Sequence, residues 1–102
     1  MRIRLTDDAQ AEFEHELDYL AQQHSGAVAS FIDDIEEAKS LLLQYSGIGS
    51  PLFRGVRKLR LRRHPINLIY RVEGEIIVVY AFAPHKRKPG YWRQRIGPRS
   101  QR

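Results

Sequence analysis

At 102 residues the chain is long enough for one modest hydrophobic core and too short for two. Its composition, 42% hydrophobic and 28% charged, is that of a soluble globular protein, and the absence of cysteine excludes a disulfide framework and a thiolate zinc site. The net charge of +5 is unevenly spread: residues 1–50 hold ten acids and three bases, net −7, and residues 51–102 hold two acids and fourteen bases, net +12. That polarity predicts an acidic helical layer and a basic sheet layer, whose excess charge attracts nucleic acid, ribosomes or an acidic protein partner. The longest apolar run, Ile76 to Ala83, is far short of a membrane span, and no leader pattern precedes the first element. A cytoplasmic protein with no membrane contact is the expectation.

In chain order, Arg2-Ile3-Arg4-Leu5 alternates as a short strand. Thr6 is placed to cap a helix whose first turn carries Asp7 and Asp8, where carboxylates meet the positive end of the helix dipole. Ala9, Phe13, Leu17, Leu20 and Ala21 continue it at helical spacing to about His24, and Ser25-Gly26 breaks it. A second helix sets Val28, Phe31, Ile32, Ile35, Ala38, Leu42 and Tyr45 on one face, with Asp33, Asp34, Glu36 and Glu37 on the other. Gly47 to Pro51 reads as a loop. Three strands follow, at 56–63, 66–73 and 75–83, with a turn at His64-Pro65 and a tight connection at Gly74. In the first, Leu59 and Leu61 alternate with Lys58, Arg60 and Arg62, so one face is cationic and the strand suits a sheet edge. The last is apolar on both faces, with Ile76, Val78, Tyr80 and Phe82 against Ile77, Val79 and Ala81, as for a strand covered on both sides. The expected fold is α+β, ordered β-α-α-β-β-β, a helical hairpin packed on a small, mainly antiparallel four-stranded sheet. Residues 1–96 form its single domain and residues 97–102 a flexible tail.

The chemistry-bearing groups concentrate after residue 56. Lys58, Arg60, Arg62 and Arg63 read either as an anion-binding face or as a solvated edge. His64-Pro65 is more simply a turn than a catalytic pair, and Tyr70 and Tyr80 are core residues with hydroxyls at the rim. His85 follows a proline with no carboxylate near it in sequence, and Tyr91 and Trp92 are better suited to anchoring the tail than to base stacking. His15 and His24 lack metal-ligand spacing, and no phosphate loop, dinucleotide fingerprint or serine elbow occurs. Neither a metal nor a cofactor is expected.

The element order, with Arg60, His64, Pro65, Tyr70, Arg71 and Val72 and then His85, Arg87, Pro89, Tyr91 and Trp92, resembles the RelE/ParE superfamily of bacterial toxins over nearly the whole chain. The resemblance implies a growth-arresting toxin of a type II toxin–antitoxin module, of the kind that stabilises plasmids. Its partner would be a cognate antitoxin with an acidic C-terminal segment, in a toxin–antitoxin hetero-oligomer. It further implies one of two targets: DNA gyrase in the ParE-like branch, or messenger RNA on the ribosome, cleaved without a metal, in the RelE-like branch. By that resemblance Lys58 and Arg60 occupy basic second-strand positions, Arg87 the arginine after the last strand, and Tyr91 stands near the late tyrosine. An endoribonuclease would then use Arg87, His85, Tyr91, Lys58 and Arg60. A binder of gyrase or antitoxin would use Lys58, Arg60, Arg62, Arg63, Arg71, Lys86, Arg87 and Trp92. Where the RelE-like branch has an arginine beside the scissile phosphate this chain has Asn67, which favours gyrase. A basic nucleic-acid-binding module without catalysis is the third reading.

Overall fold

The structure, a computed structural model, describes residues 1–98. Strand β1 (Arg2–Leu5) leads into helix α1 (Asp7–Gln23), a 3₁₀ turn at Ser25–Ala27 and helix α2 (Val28–Gln44). Four strands follow: β2 (Ser50–Phe53), β3 (Val56–Arg60), β4 (Ile66–Glu73) and β5 (Ile76–Pro84), then a 3₁₀ turn at Arg93–Arg95. The sheet order is β1-β5-β4-β3-β2, parallel only between β1 and β5. Five strands therefore stand where four are expected, because Ser50–Phe53 pairs with β3. Pro51 hides this strand from pattern reading, but an outermost strand tolerates proline. Arg54 and Gly55, both at positive φ, close the hairpin in the conformation a two-residue turn requires. In consequence β2 and not β3 is the edge, and β3 ends at Arg60 instead of running to residue 63.

Thr6 caps α1 as its sequence position predicts, its Oγ1 accepting from the Ala9 amide at 3.2 Å. The hairpin covers one face of the sheet, packing Phe13, Leu17, Leu20, Phe31, Ile35 and Leu42 on Leu68, Tyr70, Ile77, Val79 and Phe82. The opposite face is covered only in part, by Phe53, Trp92 and Ile96 over Val56, Ile69, Val78 and Tyr80. Two residues expected on the inner stripe of α2, Ile32 and Tyr45, are exposed.

A register shift in β5 reassigns its faces. Tyr70 pairs with Val79 and Ile69 with Ala81, so Tyr80 is an extra residue in the ladder. Beyond it the alternation moves by one: Phe82 joins Ile77 and Val79 under the helices, while Tyr80, Ala81 and Ala83 share the far face. The bulge puts Phe82 within 5.8 Å of the Phe13 ring and leaves small alanines on the far side. The loop after α2 is pinned by Tyr70, whose hydroxyl donates to the Ser46 carbonyl at 2.8 Å and accepts from the Gly49 amide at 2.9 Å. A Cβ at Gly49 would lie 2.8 Å from the Tyr70 hydroxyl and 2.9 Å from the Lys58 carbonyl. In urea unfolding, Phe82→Ala is expected to cost about 3–5 kcal/mol and Gly49→Ala about 1–3 kcal/mol. An unfolding midpoint unchanged by Phe82→Ala would place the bulge elsewhere.

Candidate functional site: a cationic cleft on the open sheet face

The uncovered part of the far face is a cleft of about 540 Å³. Its floor is Leu52 of β2, Ile69 of β4 and Ala83 of β5, low because the bulge places alanine there. Lys58 and Arg60 project from β3 by the alternation predicted for that strand, and Asn67 from β4 beside them, opposite Arg60 in register. The segment after β5 forms the other wall, with His85, Arg87, Lys88, Tyr91 and Arg93. Among the described residues no carboxylate lines the cleft.

His85 joins the two walls. Its Nδ1 lies 3.3 Å from Arg60 Nη1, and its Nε2 lies 3.1 Å from Asn67 Oδ1. A guanidinium nitrogen only donates, so Nδ1 accepts, and Nε2–H donates to the amide oxygen. Both ring nitrogens are engaged in this arrangement, and Arg60 is oriented by a partner that carries no negative charge. Arg87 is positioned differently: its guanidinium stacks 3.7 Å above the Tyr91 ring, with Nη1 4.0 Å from Glu12 Oε2.

Glu12, on α1, organises this wall from behind. Its Oε1 accepts from the Phe82 amide at 3.0 Å; its Oε2 accepts from the Tyr91 hydroxyl at 2.7 Å and from Arg95 at 2.9 Å. Burial, and then this hydrogen bond to a carboxylate, push the Tyr91 hydroxyl well above the usual tyrosine range. Pattern reading passes over Glu12 as one more acid of a polar helix. The available signal is its spacing, three residues after Ala9 on the inward stripe.

Several cations expected to bind a target have internal partners. Arg71 is 5% exposed: Nε meets Glu73 at 2.9 Å, and the guanidinium also reaches the Tyr80 hydroxyl and the carbonyls of Arg54 and Gly97. It ties β4 to the β2–β3 turn and the C-terminal segment and presents no binding surface. Gly97 is thus engaged at the start of the expected tail, while residues 99–102 lie outside the described residues. Arg62 turns back to Glu37 of α2 at 3.5 Å, and Arg63 to Asp34 at 3.5 Å, so neither shares the Lys58/Arg60 face once β3 ends. Lys86 points to the Tyr19 ring of α1, and Trp92 is buried against Phe53.

Asp34, expected on the outward face of α2, is 1% exposed. Its Oδ2 accepts from the amides of Arg63 and His64 and from His64 Nδ1, at 2.9, 3.0 and 2.9 Å, pinning the turn before β4. Among the described residues no His, Asp or Glu cluster suits a metal, and no helix is long and apolar enough to cross a membrane.

The fold is that of the small toxins of the RelE/ParE superfamily. A family model described as the ParE toxin of type II toxin–antitoxin system, parDE, matches residues 3–89, and the chain belongs to that family. A solved structure described as the chromosomal ParDE TA system from P. aeruginosa is similar at 27% identity and a TM-score of 0.72, over 82% of this chain and 95% of that one. Comparison with curated proteins returned no match.

Burial alone would raise the Asp34 pKa, but the hydrogen bonds from His64 and from the backbone amides outweigh it and hold the group below its ordinary 3.8. A carboxyl lowered on folding contributes stability that is present above its unfolded pKa and is lost as pH falls through the folded one. Urea midpoints are therefore expected to fall steeply below about pH 4. Asp34→Asn should flatten that slope, leaving the part due to Glu73, which Arg71 and Tyr80 hold down in the same way. An unchanged slope in Asp34→Asn would remove Asp34 from this account.

Proposed function

We propose that this toxin arrests growth by binding DNA gyrase, and that a cognate antitoxin with an acidic segment neutralises it in a toxin–antitoxin complex. The supporting observation is the state of the acid–base groups. Metal-free RNA cleavage needs a base for the ribose 2′-hydroxyl, an acid for the leaving oxygen and cations for the charge that develops between them. Both ring nitrogens of His85 are occupied by Arg60 and Asn67, and the Tyr91 hydroxyl is committed to Glu12. Asn67, in place of a cation, donates no charge to a scissile phosphate. The cleft is built to bind an anionic surface more than to move protons, in keeping with the ParE family model. An acidic antitoxin segment is drawn to the net charge of +5, and its binding is expected to be steered over long range.

The test is a comparison of two purified targets. Wild-type protein is expected to inhibit ATP-dependent supercoiling by gyrase and to leave messenger RNA on translating ribosomes intact. Arg87→Ala should weaken inhibition by about 1–2 kcal/mol, roughly 5–30-fold, as for one interface charge. Asn67→Arg should not confer cleavage, since the Tyr91 hydroxyl stays committed to Glu12 even though His85 Nε2 is released. Efficient codon-register cleavage by the wild type, abolished by Arg87→Ala, would replace this reading with the ribosome-dependent endonuclease.

A further inference from the structure

We propose that the cleft holds the phosphodiester backbone of a DNA strand, without reading its bases. The starting point is which cations are compensated. Arg62, Arg63, Arg71 and Arg95 each have a carboxylate within 4.0 Å, whereas Lys58, Arg60, Lys88 and Arg93 have none among the described residues, and all four line the cleft. Two of them are held by groups that carry no negative charge: Arg60 by the His85 ring nitrogen, Arg93 by the Phe53 ring at 4.4 Å. Those two are thus oriented before a ligand arrives, and they have less side-chain freedom to lose on binding.

The ligand class follows from hydrogen-bond polarity. Lysine and arginine only donate, and Asn67, its oxygen engaged by His85, has its amide N–H groups left to offer. A peptide would bring backbone N–H donors into a lining whose charged side chains accept nothing, and RNA would bring 2′-hydroxyls. A DNA backbone carries acceptors alone, with charge repeated along the strand, and its sugars can rest on Leu52, Ile69 and Ala83. The same lining offers no aromatic face for a base. Arg87 covers the Tyr91 ring and Trp92 is buried on Phe53, so contacts are confined to phosphate and sugar. The inference rests on the gyrase reading only for where such DNA is met, on the enzyme that handles it.

The experiment is fluorescence anisotropy with a labelled mixed-sequence single-stranded DNA, its RNA counterpart and a poly-glutamate peptide, between about 50 and 200 mM salt. DNA should bind most tightly, with affinity independent of base sequence. The double variant Arg60→Ala/Lys88→Ala should lose about tenfold or more and reduce the salt slope by about 1.4, two contacts' worth for a single strand. Arg2→Ala, a cation on β1 away from the cleft, should bind as the wild type. A titration of the wild type followed by NMR should move the Asn67 side-chain amide, which tests the site without any variant. Tighter binding of RNA or of the peptide, equal losses in Arg2→Ala, or an unmoved Asn67 amide would each overturn the proposal. Supercoiling inhibition run in parallel separates the two ideas. Cleft-dependent DNA binding without gyrase inhibition sinks the gyrase reading alone, and gyrase inhibition without cleft-dependent DNA binding sinks this site alone.

Discussion

The far side of the sheet depends on one carboxylate. Glu12 leaves α1 on the helical face, yet its oxygens satisfy the Phe82 amide just past the β5 bulge, the Tyr91 hydroxyl and the Arg95 guanidinium. Arg95 in turn donates to the Tyr80 carbonyl at 3.2 Å, so the segment after β5 is fastened to helix and strand at once. Without Glu12 the Tyr91 phenol would lose its acceptor and Arg95 its nearest carboxylate, leaving Arg95 the Tyr80 carbonyl and Asp8 at 3.7 Å. The cleft wall formed by Arg87, Tyr91 and Arg93 has its shape because this anchor lies behind it.

Charge is sorted by the sheet itself. Most helix acids that reach a cation of the second half do so at the sheet's rim and ends: Asp34 with Arg63 and His64, Glu37 with Arg62, Glu12 and Asp8 with Arg95; Glu12 also comes within 4.0 Å of Arg87 in the cleft wall. Lys58 and Arg60 project from the opposite face, with packed apolar layers between them and the helices. Layers in such packings stand about 10 Å apart, comparable to the screening length at physiological salt, so the acidic layer neutralises them little. The basic surplus is thereby concentrated on the open face, where a target can reach it.

Much of this was legible in the residues. The apolar spacings in 9–21 and 28–42, the Thr6 cap, the order of the elements and the cationic face of Lys58 and Arg60 all follow from local periodicity, which fixes where each side chain points within its own element. Asp34 reads from the sequence as an outward acid and Glu12 as one more acid of a polar helix; only their partners, about 30 and 70–80 residues away, distinguish a buried anchor from a solvated acid. The bulge at Tyr80 was not legible. A period of two carries no mark of one extra residue, yet that residue exchanges the faces of everything after it. Nor could an edge be assigned before the partner of β3 was known, and the Ser50–Phe53 strand gains its hydrogen bonds only from that pairing. The sequence by itself determined both helices, four of the five strands, the charge and the family; tertiary structure decided the fifth strand and which cations remain uncompensated, because pairing depends on distances that no local pattern contains.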